Sequence, residues 1–167
     1  MKKIVSNTEQ DALAFQLNGL FYSEFKPNSE FNNCLHYVNS IPLRNEIQKY
    51  LDGADDKALK LEQIFNYLMA EPLIQKKEII QTLIDEMHHL LAFTSSAHIK
   101  NFLVISCIQN INEYKISCYR TSYMLAAELD LDTASDLLQQ ILEQELETEK
   151  TLNDLSVEEF NQVSEMG

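Results

Sequence analysis

The sequence predicts an all-α protein, a bundle of four long helices with one long helical crossover between the second and the third. Three observations carry that expectation. Among 167 residues there are three glycines and three prolines, too few breakers for a β-sandwich or a Rossmann-like sheet, which needs a turn signal about every ten residues. Apolar residues recur at spacings of three and four along four long stretches, the period of a single helix face. Between the second and third stretches lies a segment of roughly 25 residues, far longer than the usual helix–helix connection.

Residues 8–38 form the first stretch, with Leu13, Leu17, Leu20, Phe21, Phe31, Leu35 and Val38 on one face. Pro27 inside it predicts a kink near Lys26, because proline removes a backbone donor and crowds the preceding turn. Asn39-Ser40-Ile41-Pro42 is the first stop: Ser40 suits an N-cap, and Pro42 is tolerated in a first helical turn. The second helix then runs to about Met69 along Leu43, Ile47, Tyr50, Ala54, Leu61, Ile64, Phe65 and Leu68, and Glu71-Pro72 ends it. Gly53 sits in its middle at a propensity cost of about 1 kcal/mol. Leu73 to Phe93 reads as helical again, and Thr94-Ser95-Ser96 supplies an N-cap cluster for a third long helix over about 97–129. Its face carries Val104, Ile108, Ile111, Lys115, Cys118 and Ser122. After a break at Leu129-Asp130-Leu131-Asp132-Thr133, the fourth helix occupies about 134–155, with Leu138, Ile141, Glu145, Thr148 and Leu152 on one face. Ser156-Val157-Glu158-Glu159 predicts a capping box that opens one last short turn. The two tight connections give two antiparallel hairpins, and the long middle segment lets the second and third long helices run parallel, as in ferritin-like folds. The length fits a single domain over 1–167.

Charge and cysteine usage narrow the partners. Thirteen basic against 26 acidic side chains leave a net charge of −13, which repels a phosphate backbone and makes nucleic acid and anionic membranes poor partners. No apolar run approaches the eighteen or so residues of a membrane span. Met1 to Asn7 contains two lysines but no apolar stretch behind them, so no secretory signal is expected. Cys34, Cys107 and Cys118 form no CxxC or CxxH pattern, and a cytoplasmic location follows as the expectation. A homodimer, if formed, would use an apolar patch on the 73–93 helix or the first helix; the sequence specifies no other protein partner.

Polar residues inside apolar stripes are the candidate site. Glu24, Tyr50, Asn112, Lys115 and Glu145 fall on inner faces, and similar depth along the helices would bring them into one layer. Lys115 placed between Glu24 and Glu145 would relieve the repulsion of two buried carboxylates, with the Tyr50 hydroxyl and Asn112 amide completing the layer. The plainer reading is a buried ion pair beside a core tyrosine. Glu86 and His89 form a Glu-x-x-His, overlapped by Asp85 and His88, but adjacent histidines on the connecting helix read as a solvated face. His36 and His98 are isolated and read as structural or exposed. Glu143, Glu147 and Glu149 read as the solvated side of an acidic helix, and Cys107 and Cys118 as small core residues.

Several tracts resemble the YciE/YciF-like family of ferritin-like proteins, the domain of unknown function 892 family, over about residues 10–155. The resemblance rests on Leu20-Phe21-Tyr22-Ser23-Glu24, Leu61-Glu62-Gln63-Ile64-Phe65, Glu113-Tyr114-Lys115-Ile116-Ser117-Cys118-Tyr119, and the run from Leu137 to Glu145. It implies a bundle whose inward carboxylates and histidines hold two metal ions, iron or manganese. Tyr50 and Gly53 stand where the family has His and Glu. Asn112-Glu113-Tyr114-Lys115 replaces its Glu-His-Tyr-Glu, and Gln144-Glu145 its Glu-Glu. The resemblance therefore implies a degenerate metal site with no cofactor, in a non-catalytic stress-related or interaction protein. The alternative is a metal-binding ferroxidase or peroxide-consuming protein that uses Glu24, Glu113 and Glu145.

Overall fold

The computed structural model describes residues 8–166, so the Met1–Asn7 stretch lies outside the described residues. Five α-helices follow one another: α1 (Glu9–Cys34), α2 (Ile41–Tyr67), α3 (Glu78–Phe93), α4 (Ala97–Glu128) and α5 (Asp132–Met166). A single 3-10 turn, Leu35–Tyr37, follows α1. Thr8, Ser40 and Ser96 each cap a helix by accepting a hydrogen bond from the backbone N–H three residues on, which satisfies a donor the helix itself leaves free. α1 runs through Pro27 without a break in the helix, and it ends at Cys34, four residues before the boundary the apolar spacing suggested.

Two apolar clusters fix the topology. At one end lie Phe31 and Cys34 from the end of α1, Leu43 and Ile47 from the start of α2, Val104 and Ile108 from the start of α4, and Leu152 from late in α5. At the other lie Leu13 and Leu17, Leu61 and Phe65, Ala126, and Ala134 and Leu138. The α1 helix is thus antiparallel to α2, the chain returns along the bundle, and α4 runs parallel to α2. α1 packs on α2 and α4, and α5 on the same two helices, so the four long helices form a bundle with one crossover, the ferritin-like arrangement.

The crossover is a strap followed by a helix, whereas the apolar pattern suggested helix from Leu73 onward. Residues 70–77 carry no helix, and Leu73 and Ile74 are exposed. The strap is tied to α1 instead. Asn18 Oδ1 accepts a hydrogen bond from the Leu73 backbone at 2.8 Å, and the Lys77 ammonium lies 3.9 Å from the Phe15 ring centroid. The lysine stem crosses α1 at Gly19, where a Cβ would collide with it. Ile80, Ile84, Met87 and Leu91 of α3 then bury against the bundle.

The far end corrects another expectation. Ser156 does not open a new turn; α5 continues unbroken from Asp132 to Met166. Glu159 explains the continuation, since it is buried and accepts a hydrogen bond from Asn101 Nδ2 at 3.1 Å. Asn101 also exchanges hydrogen bonds with Asn39, at 2.6 Å through its amide and 3.2 Å through its carbonyl. At Glu159, α5 is therefore tied to the start of α4 and, through Asn101, to the α1–α2 connection.

Candidate functional site

Between the two apolar clusters every long helix places polar side chains on its inner face: Glu24 on α1, Tyr50 and Lys57 on α2, Asn112, Lys115 and Tyr119 on α4, and Glu145 on α5. The Lys115 ammonium sits between the two carboxylates. It lies 2.9 Å from each oxygen of Glu24 and 3.0 Å from Glu145 Oε1, and donates at 3.3 Å to the Tyr50 hydroxyl. Lys57 reaches the same Glu145 Oε1 at 2.6 Å. The Tyr119 hydroxyl donates to Glu24 Oε1 at 2.6 Å, and Asn112 Nδ2 donates to the Glu145 backbone carbonyl at 3.1 Å. Both ammonium groups also face the Tyr50 ring, 5.0 and 5.2 Å from its centroid, a favourable cation–π placement.

Two positive and two negative groups make the layer electrically balanced. Burial disfavours the Lys115 charge, but Glu145 and Glu24 outweigh it and hold the amine well above the ordinary lysine range. Burial likewise opposes the Glu145 charge, and Lys115 and Lys57 overcome it, so that this carboxyl lies below its usual range. Burial, with the Glu24 charge beside it, pushes the Tyr119 phenol up, and burial pushes Tyr50 up as well. Both tyrosines are neutral hydroxyls at ordinary pH.

Lys57 and Tyr119 are the members that reading the stripes missed. Each carried a signal: Lys57 is two turns beyond Tyr50 and four residues before Leu61, and Tyr119 is one turn beyond Lys115. A lysine and a tyrosine at core spacing pass for surface and packing residues until their partners on other helices are known.

The remaining candidates lie elsewhere. Glu113 is exposed on α4, outside the layer. Asp85, Glu86 and His89 are exposed, and His88, with a side chain 40% exposed, has Nε2 2.9 Å from Glu30 Oε2, while Lys26 holds Glu30 Oε1 at 2.9 Å. That contact links α3 to α1. His89 is exposed beside Phe93, His36 is exposed beside Tyr37, and His98 is half-buried. Glu143 and Glu147 are exposed and Glu149 is half-buried. Cys34 and Cys107 are buried, which pushes their thiols up to about 11 and about 12; Cys118 is only half-buried.

A dinuclear metal centre needs four to six ligands for each ion. The layer offers two carboxylates and no imidazole, and places two ammonium groups against those carboxylates. These residues do not fit such a centre. Among the described residues, no three of His, Cys, Asp and Glu cluster so as to hold a metal ion. No described helix is long and apolar enough to cross a membrane.

An opening reaches the edge of the layer. Between α2 and α5 a cleft of about 240 Å³ is bordered by Glu46, Lys49, Gly53, Glu147 and Thr151 and reaches Tyr50 and Lys57. A side chain at Gly53 would stand over it, and a Cβ there meets nothing within 4 Å.

An all-α bundle with a single crossover is a fold shared with known proteins. The chain belongs to the family described as domain of unknown function (DUF892), which matches residues 8–165. It is 26% identical to Protein YciF of Escherichia coli (strain K12) over 110 residues, 64% of this chain and 66% of that protein, just under two thirds of its length. The crystal structure of the E. coli stress protein YciF superposes with a TM-score of 0.87 at 20% identity, covering 93% of this chain and 98% of that one. YcfI from Rhodopseudomonas palustris superposes with a TM-score of 0.85 at 21% identity, covering 91% and 96%. These two likenesses establish the shared fold.

Proposed function

We infer that this protein is a non-catalytic, stress-related bundle that acts through its surface, and that a lysine-centred ion-pair layer stands where the ferritin-like resemblance implies a dinuclear metal site. One observation carries the reading: Lys115 lies within 3.0 Å of both Glu24 and Glu145, the two carboxylates a metal would need. An ammonium group there neutralises them without a redox-active ion and leaves no donor set for ferrous iron or manganese. The stress-related part rests on the likeness to YciF, which is called a stress protein in E. coli.

The test is elemental analysis of protein purified without chelator and again after anaerobic loading with ferrous iron, paired with thermal unfolding. The expected result is substoichiometric metal and a melting temperature unmoved by iron or chelator. Two irons per chain, or ferrous iron consumed with oxygen uptake, would favour the ferroxidase or peroxide-consuming alternative. For the surface role, deletion of the gene should reduce survival under a stress that raises the protein's abundance, and Lys115→Met, if folded, should not mimic the deletion.

A further inference from the structure

The two carboxylates of the layer are unequally satisfied. Glu24 has Lys115 on both oxygens and the Tyr119 hydroxyl on one. Glu145 has both ammonium groups within ion-pair distance of Oε1, at 2.6 and 3.0 Å, but neither of its buried oxygens has a hydrogen bond of good geometry among the described residues, and Oε2 has no cation beside it either; Asn112 Oδ1 is likewise buried without a partner. Neither acceptor is free to turn away. Lys57 and Lys115 fix the carboxylate through Oε1, and Asn112 is held by the bond its amide gives to the Glu145 carbonyl. Rotating that amide would set its oxygen against the carbonyl oxygen. Buried acceptors so held are costly unless a donor reaches them.

The missing donor has a definable chemistry. The layer holds Glu24 and Glu145 against Lys57 and Lys115, so its charges already cancel. A cation would be repelled by two ammonium groups, and an anion would meet two acceptor oxygens. A small neutral donor fits both acceptors, and water, with two protons to give, is the least demanding. The cleft at Gly53 supplies the path, because it reaches Lys57, whose ammonium is 2.6 Å from Glu145. Tyr50 borders the same cleft and accepts from Lys115, which leaves its own proton to donate outward.

We propose that the α2–α5 cleft over Gly53 is the mouth of an internal hydration site, in which water donates to Glu145 Oε2 and Asn112 Oδ1 and exchanges with solvent past Tyr50 and Lys57. Gly53 keeps that mouth open. Glu145, unlike Glu24, is then the carboxylate in contact with the solvent.

Oxygen-17 magnetic relaxation dispersion of the wild type, Asn112→Leu and Gly53→Leu tests both halves. The wild type should show long-lived internal water, and Asn112→Leu should lose part of that amplitude. Gly53→Leu should keep the amplitude but lengthen the residence time several-fold, with its circular dichroism unchanged. Equal amplitude in wild type and Asn112→Leu overturns the site, and an unchanged residence time in Gly53→Leu overturns the route. Should Asn112→Leu fail to fold, a high-resolution crystal structure of the wild type decides: density within hydrogen-bonding distance of Glu145 Oε2 and Asn112 Oδ1 supports the site, and its absence overturns it.

Discussion

Among the described residues, one ion-pair network ties helices together at the waist of the bundle and another on its flank. At the waist, Glu24, Lys57, Lys115 and Glu145 are all buried. On the flank, Lys26, Glu30 and His88 join α1 to α3 with side chains 31, 21 and 40% exposed. The contact distances overlap, 2.6–3.0 Å at the waist and 2.9 Å on the flank. The consequences differ because bulk solvent surrounds one, whereas the charges of the other are buried. A flank residue that loses its partner is rehydrated, whereas a waist residue that loses its partner keeps an uncompensated charge in a medium of low dielectric. Geometry alone does not rank them; burial does.

The largest expected effect tests that ranking. Lys115→Met should destabilise the fold by about 3–5 kcal/mol, the usual consequence of breaking a buried pair from one side. A urea unfolding curve would show it as a lower midpoint at similar slope. An unchanged midpoint would mean that the two networks are equivalent and the waist is not a low-dielectric site. Replacing the whole set together, with Lys57 and Lys115 changed to Met, Glu24 and Glu145 to Leu, and Tyr50 and Tyr119 to Phe, should be milder than the single change, because no charge or hydroxyl is then left without a partner.

Tyr119→Phe comes next. It removes the hydroxyl that donates to Glu24 at 2.6 Å while Lys115 continues to neutralise the carboxylate, so about 1.5–3 kcal/mol is expected, the range for a hydrogen bond to a charged group. The same unfolding assay checks it. A value near that of Lys115→Met would assign the waist's stability to hydrogen bonding more than to charge.

The fold was legible for reasons that separate it from the site. Helix number, the serine caps at Ser40 and Ser96, and the crossover all follow from local spacing and breakers. Local signals failed where a distant side chain decided the backbone. Asn18 on α1 holds the strap at Leu73 out of the helix its apolar residues suggested, and Asn101 on α4 holds Glu159 inside a longer α5. The same limit governs the waist. Glu24, Lys115 and Glu145 interrupt apolar stripes and stand out as anomalies, and the structure brings them together with Tyr50 and Asn112. Lys57 does not stand out, because a lysine near Asp56 and Lys60 looks like part of a solvated helix face. Only the position of α5 shows that it points inward.

Acid should act on both networks in the same direction and to different extents. The Glu145 carboxyl is lowered in the fold, so its contribution is present above the unfolded value of about 4.3 and is lost as pH falls through the folded value. Lys115 is raised, so its contribution is present below about 10.4 and is lost only as pH rises through its folded value. The waist therefore favours the fold across the intervening range. Glu30 is also lowered, through its hydrogen bonds to Lys26 and His88, and loses its contribution on the acid side, but its exposure keeps that loss small. Urea unfolding followed from neutral pH down through the carboxylate range should show a steep loss in the wild type. Glu30→Gln should leave most of that slope in place; a variant as flat as this test can resolve would shift the acid response from the waist to the flank.

The smallest effect expected is that of Glu30→Gln at neutral pH. Removing this carboxylate releases Lys26 and His88 together, yet each can be solvated where it stands, so the loss should be no more than about 1 kcal/mol. Salt sharpens the distinction. Exposed charges are screened at a Debye length of about 10 Å in 0.1 M salt and about 3 Å at 1 M, so the difference between wild type and Glu30→Gln should shrink as salt rises. The difference between wild type and Lys115→Met should hardly change, since the charges of the waist are buried and therefore screened much less. Thermal unfolding of the three proteins at low and high sodium chloride measures both differences at once. If the Lys115→Met difference fell with salt as the Glu30→Gln difference does, solvent ions would be reaching the layer, and the contrast between a wet flank and a protected waist would have to be given up.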